Sequence, residues 1–221
     1  MSLNKVKGNM YSFCTHTWNT IKGACPHDCA YCYMKKWGGL PLLHFDEKEL
    51  NTDLGEGNFI FVGSSCDMWA QDIAVKWILK TLEHCRKYNN KYLFQSKYPG
   101  RIYRMRNLLP SNVILGTTIE TNRSYPEMGD APDVKNRAWT MFNLQICNFQ
   151  TIITIEPIMD FDLDELIKMI LVCTPTWVNI GANTNSKVKL PEPPPEKIKA
   201  LIGELRLITE VKVKDNLKRL I

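Results

Sequence analysis

Two textures alternate along the chain. Nearly continuous apolar or β-branched runs occupy residues 59–63, 92–96, 113–118, 151–156 and 177–181. Such runs suit strands buried on both faces of a parallel sheet, because a half-solvated antiparallel strand would alternate apolar with polar residues. Between them, apolar positions recur at helical spacing. Ile73, Trp77, Ile78, Leu82 and Cys85 mark a helix over 69–87; Ala138, Trp139, Phe142 and Ile146 mark one over 135–146; Leu166, Ile167, Ile170 and Leu171 mark one over 163–172. Asp162 stands at an N-cap position, and a helix over 196–208 follows the proline-rich run 191–195.

With a first strand over 17–21, the alternation predicts about six right-handed βαβ units in series. The expected fold is α/β: a single domain, 1–221, forming a partial (β/α)6 TIM-like barrel of parallel strands. Its core covers about 15–190, and a terminal helix and a strand near 211–214 complete it. A flat doubly wound sheet is the weaker option, since no Gly-x-Gly-x-x-Gly phosphate loop follows the first strand.

Composition changes this picture little. With 44% hydrophobic residues, 23% charged residues and a formal charge of +5, the chain reads as an ordinary globular protein. A chain of this length buries roughly 70% of the surface it exposes when unfolded, so a core needs no disulfides. No apolar stretch approaches the roughly 20 residues that cross a bilayer, and Met1 to Met10 holds no signal region, so a cytoplasmic protein without membrane contact is expected.

Eight cysteines therefore call for a reason other than disulfides. Cys85, Cys147 and Cys173 lie in apolar segments and read as small hydrophobes, while Cys14 and Cys66 stand alone. Cys25, Cys29 and Cys32 form a Cys-x3-Cys-x2-Cys run, whose thiolates would converge if the chain wraps around one centre. Thiolates favour zinc or iron-sulfur clusters. A structural zinc would need a fourth ligand from Cys14, His16 or His27. A cubane on three cysteines would instead leave one iron open for chemistry. Three readings follow: a cluster enzyme, a zinc-stabilised nucleic-acid-binding module, and an iron-sulfur electron carrier.

The run Cys25-Pro26-His27-Asp28-Cys29-Ala30-Tyr31-Cys32, with Tyr31 before the third cysteine, resembles the signature of radical S-adenosylmethionine (SAM) enzymes. Further short segments resemble a compact phage- and prophage-associated group within that superfamily, distantly similar to the spore photoproduct lyase branch. These are Thr17-Trp18-Asn19, Gly63-Ser64-Ser65-Cys66-Asp67-Met68, Phe94-Gln95-Ser96-Lys97, Leu115 to Thr121, Ile155-Glu156-Pro157 and Asn179-Ile180-Gly181-Ala182. The resemblance implies a 4Fe-4S cluster on Cys25, Cys29 and Cys32. That cluster reductively cleaves SAM to methionine and a 5′-deoxyadenosyl radical, which abstracts hydrogen from a substrate.

The same resemblance implies SAM contacts at strand ends. Ser64, Ser65 or Asp67 would replace the superfamily's amino-group ligand, which this chain lacks. Lys97 would pair with the methionine carboxylate, Thr118 and Glu120 would meet the ribose, and Glu156, a carboxylate ending an apolar strand, would meet a donor, a cation or the cofactor. Tyr31 and the backbone at Gly181, Ala182 and Asn183 would pack on adenine. Cys66 is a candidate hydrogen donor to a product radical. A low-potential donor such as flavodoxin or ferredoxin would supply the electron, in the host cytoplasm if the chain is phage-encoded. The run Lys97 to Arg106 interleaves four cations with two tyrosines, which suits a nucleic acid or nucleotide substrate. His16, His27, His44 and Trp69 are further candidates for a pocket wall.

Overall fold

The computed structural model describes residues 3–221. Its ten strands are β1 (Asn4–Lys5), β2 (His16–Trp18), β3 (Ile21–Lys22), β4 (His44–Phe45), β5 (Phe59–Val62), β6 (Lys91–Gln95), β7 (Val113–Thr118), β8 (Gln150–Ile155), β9 (Trp177–Ile180) and β10 (Glu210–Val213). Eight of them form one sheet in the order β1-β2-β5-β6-β7-β8-β9-β10, while β3 and β4 pair separately. From β2 to β10 every pairing in the large sheet is parallel; β1 alone runs antiparallel, on the β2 edge. Because β1 and β10 are both edges, the barrel stays open.

Five α-helices connect the strands: α1 (Val75–Cys85), α2 (Pro99–Arg104), α3 (Val134–Ile146), α4 (Leu163–Cys173) and α5 (Pro195–Arg206). The α/β parallel architecture expected from the alternating textures is the one observed. The first connection differs from the rest: between β2 and β5 the chain runs through the β3–β4 hairpin and short 3-10 turns instead of an α-helix. The cysteine run lies in that connection.

Alternation along each strand divides the core. One face of the sheet packs beneath the helices through residues such as Ile60, Tyr92, Phe94, Leu115, Ile153 and Ile180. The inner face carries Phe61, Leu93, Ile114, Ile152 and Trp177, and against these the N-terminal segment packs Val6, Met10, Tyr11, Phe13 and Cys14. That segment fills the inside of the open barrel, which explains why Cys14 is buried and far from any ligand role. Continuing the same parity toward the strand ends, Gln95, Thr118 and Thr154 present polar groups to the inner side, where the Tyr11 hydroxyl meets Gln95 and Thr154.

The helix over 69–87 starts only at Val75. Arg101 explains the delay, because its guanidinium bonds the carbonyls of Ala70, Gln71 and Ile73 and so draws them out of a helical turn. In α3 the apolar stripe lies about a quarter turn from the expected one: Val134, Ala138, Met141 and Leu144 are buried, while Trp139 is 60% exposed and Ile146 58%. The buried side chain that turns the helix is Arg137, at 1% exposure. Asp162 holds the N-cap position of α4, yet its carboxylate bonds Arg123 and Asn122 rather than the helix amides.

Candidate active site

At the C-terminal ends of the parallel strands the structure opens into a cavity of about 1060 Å³, the end where loops converge on a parallel barrel. Cys25, Cys29 and Cys32 all border it. Their loop is two successive tight turns, with the Asp28 amide bonded to the Cys25 carbonyl (3.1 Å) and the Cys32 amide to the Cys29 carbonyl (3.2 Å). A second segment braces it from behind. The Ala30 amide donates to Glu127 (2.9 Å), the Asp130 amide to His27 (2.8 Å), and the Cys29 thiol to Met128 (3.2 Å).

Soft sulfur donors are the kind that iron-sulfur clusters and zinc take, but among the described residues no three His, Cys, Asp or Glu side chains are gathered closely enough to hold a metal ion as they stand. Of the proposed fourth zinc ligands, Cys14 lies in the barrel interior, and His16, on β2, bonds the Thr15 hydroxyl. His27 is held by Asp67 at 2.8 Å. Burial pushes the Cys32 thiol upward, reinforced by the nearby Cys25 and Cys29 charges. Cys25 is lowered to about 6, chiefly because the Cys66 thiol donates to it. The pairing with Cys25, together with burial, raises Cys66, which also borders the cavity.

Asp67 does not offer a free carboxylate to a ligand. One oxygen takes the His27 ring (2.8 Å), the Ser96 hydroxyl (2.9 Å) and the Lys97 amide (2.8 Å), and the other takes the Trp69 amide (3.0 Å). It fastens the cysteine loop to the ends of β5 and β6. Ser64 and Ser65 border the cavity, with the Ser64 hydroxyl and the Ser65 amide both turned to the Asn19 side-chain oxygen (3.2 and 2.9 Å) and the Ser64 carbonyl accepting from Tyr33 (2.8 Å).

Glu120 departs further from expectation. It is fully buried, outside the cavity lining, and bonded to Tyr31 (2.5 Å), Lys97 (2.6 Å) and Arg137 (2.9 Å). Burial opposes its ionisation, but the Arg137 and Lys97 charges prevail and hold the carboxyl well below its usual range. Lys97 borders the cavity with its ammonium directed to Glu120, to the Tyr31 hydroxyl (2.5 Å) and to the Cys29 sulfur (3.4 Å). Tyr31 lies beneath that ammonium, 4.3 Å from the ring centre.

Across the cavity, the Glu156 carboxylate takes Lys214 (2.6 Å), Asn9 (2.8 Å) and Asn216 (2.8 Å). Gly181 packs against that carboxylate, where a Cβ would lie 2.7 Å from Glu156 Oε1, and is not itself on the cavity wall. Ala182, Asn183 and Thr118 are on it. His44 and Trp69 are not; Trp69 is wholly buried against Phe94.

The basic run resolves into separate roles. Lys97 and Arg101 are spent on interior bonds, while Arg104 stacks on Tyr98 and Arg106 on Tyr103. Cations around the cavity come instead from Lys7, Lys35, Lys36 and Lys214. Sequence reasoning missed Arg137, Tyr11, Lys214 and Asn216. Arg137 sat inside a helical segment and carried one signal, a cation beside the expected apolar stripe.

No sequence family and no curated protein matches this chain. Solved structures do. Spore photoproduct lyase aligns with a TM-score of 0.65 at 8% identity, covering 96% of this chain and 80% of the lyase. Another structure of it gives 0.63 at 10% identity, over 95% and 79%. A form with bound AdoMet and dinucleoside spore photoproduct gives 0.60 at 11% identity, where this chain covers 65% of the lyase's length and the match spans 93% of this chain. At these identities the likeness is one of fold, and this chain has the partial α/β barrel of spore photoproduct lyase.

Proposed function

We propose that the chain is a radical SAM enzyme, with Cys25, Cys29 and Cys32 as the ligands of a 4Fe-4S cluster. The observation that carries this reading is the placement of all three cysteines on the wall of one large cavity at the strand ends. The shared fold supports it, since one lyase structure of that fold holds AdoMet. When bound and reduced, the cluster supplies the electron that splits SAM into methionine and a 5′-deoxyadenosyl radical able to take hydrogen from a substrate. The protein orients the reactants and keeps water and stray hydrogen donors away.

On this reading Tyr31, Ser64, Ser65, Thr118, Ala182 and Asn183 line the cavity where SAM would lie, with the Tyr31, Ser64 and Thr118 hydroxyls bonded within the protein. Asp67, Lys97, Glu120, Glu156 and Gly181 instead fix the walls, because their polar groups or packing are committed within the protein. The substrate is a nucleic acid or nucleotide, and the exposed Lys7 and Lys36 offer phosphate contacts at the cavity. A low-potential flavodoxin or ferredoxin in the cytoplasm of a phage's host supplies the electron.

The test is anaerobic reconstitution with iron and sulfide, followed by reduction with SAM and chromatography for 5′-deoxyadenosine. Product formed by the native chain and absent from Cys29→Ala supports the reading. A protein that retains only zinc, or a stable cluster that leaves SAM intact with every nucleotide offered, overturns it.

A further inference from the structure

Two cations, the buried Arg137 and the half-buried Lys97 on the cavity wall, share one buried carboxylate behind the cysteine loop. Glu120 takes Lys97 and Tyr31 on Oε1 and Arg137 on Oε2. Arg137 is anchored in turn, through the Thr118 carbonyl (2.9 Å) and the Pro132 carbonyl (2.6 Å). Two cations thus face one carboxylate, and such an excess favours a negative group close by. Cys29 Sγ lies 3.4 Å from the Lys97 ammonium, within reach of a hydrogen bond to sulfur.

The division of labour follows from charge. If Glu120 faced Lys97 alone, the pair would carry no net charge. With Arg137 also on Glu120, the three groups keep a net positive charge, and Lys97 is the cation that reaches Cys29. Its three protons match the three acceptors around it: Glu120 Oε1, the Tyr31 oxygen and Cys29 Sγ. A methionine carboxylate would have to displace one of them.

We propose that Lys97 is a fixed hydrogen-bond donor to the Cys29 sulfur, held there by Glu120 and Arg137 as positioning residues, and that it raises the reduction potential of the cluster. This inference rests on the cluster reading above. Hydrogen bonds to ligand sulfurs and local net charge are among the factors that set the potential of an iron-sulfur centre. An ammonium held against one ligand sulfur favours the reduced state, which carries one more negative charge.

The experiment is a potentiometric titration, followed by electron paramagnetic resonance, of the reconstituted full-length chain without SAM. Lys97→Met leaves Glu120 and Arg137 as a neutral pair, so the fold keeps its charge balance. The expected result is a midpoint shifted negative in Lys97→Met and restored toward the native value in Lys97→Arg. Arg137→Gln, in which Glu120 again neutralises Lys97, shifts in the same direction by less. An unchanged midpoint in Lys97→Met with full iron content overturns the proposal. If that variant takes up no cluster, an unchanged midpoint in Arg137→Gln overturns it. A native chain that binds no iron and sulfide overturns the cluster reading and this inference with it, and that result is visible before any titration.

Discussion

The Gly129 backbone lies directly against the His27 carbonyl, in the middle of the cysteine run. A Cβ at Gly129 would collide with that oxygen and lie 2.9 Å from the Cys29 amide nitrogen. Gly129 has φ 63° and ψ −146°, a conformation nearly confined to glycine. Gly129→Ala is therefore expected to destabilise the protein by about 1–3 kcal/mol and to lower its iron content after reconstitution, because the loop must move. Gly57→Ala is the control. Gly57 also has positive φ (71°) but faces open space, so it should lose stability and keep its iron. Thermal unfolding and iron analysis of both variants check this.

His27 and Asp67 make the stability of the metal-free chain depend on pH. Burial disfavours the charged imidazole, but the bond to Asp67 and its charge outweigh burial, so the pKa of His27 is raised. Burial likewise opposes ionisation of Asp67, yet His27 and the backbone amides hold its carboxyl low. A raised histidine stabilises fully below its unfolded value of about 6.5 and loses that contribution as pH rises through its folded value. A lowered aspartate stabilises above its unfolded value of about 3.9 and loses its contribution as pH falls through its folded value. The pair thus contributes most between about pH 4 and 6.5. The difference in Tm between the native chain and His27→Gln should be larger at pH 6 than at pH 9; a constant difference would contradict the pairing.

Five strand positions were legible because burial on both faces leaves a continuous apolar run too short for a helix, whereas the expected first strand over 17–21 is split between β2 and β3. Cys25, Cys29 and Cys32 were legible because their spacing lies within one loop. Lys97, Asp67 and Glu120 were legible as strand-end polar groups but not in their partners. Whether a carboxylate faces a ligand or a neighbouring guanidinium depends on contacts such as Glu120 with Arg137, 17 residues away in sequence. The delayed start of α1 and the rotation of α3 share that cause, since Arg101 and Arg137 each turn a long side chain inward to bond backbone carbonyls.

The rotation of α3 can be measured directly. Met141 is wholly buried and Trp139 is 60% exposed, the reverse of what the size of the tryptophan suggests. Met141→Ala should cost about 2–5 kcal/mol through the cavity it leaves. Trp139→Ala should stay within about 0.5 kcal/mol, as surface substitutions do. Equal losses in urea unfolding would return Trp139 to the core.

The location of phosphate contacts separates two basic surfaces. Lys7 and Lys36 are exposed and border the cavity, whereas Arg104 and Arg106 stack on tyrosines outside it. Each phosphate neutralised by a cation contributes about −0.7 to the slope of log affinity against log salt for a single strand. If single-stranded nucleic acid enters at the cavity, the double variant Lys7→Ala, Lys36→Ala should weaken binding of a short oligonucleotide and flatten that slope by roughly 1.4. Arg104→Ala with Arg106→Ala should leave both nearly unchanged. Fluorescence anisotropy across a salt series distinguishes the surfaces, and the opposite pattern would move the nucleic acid to the α2 side of the barrel.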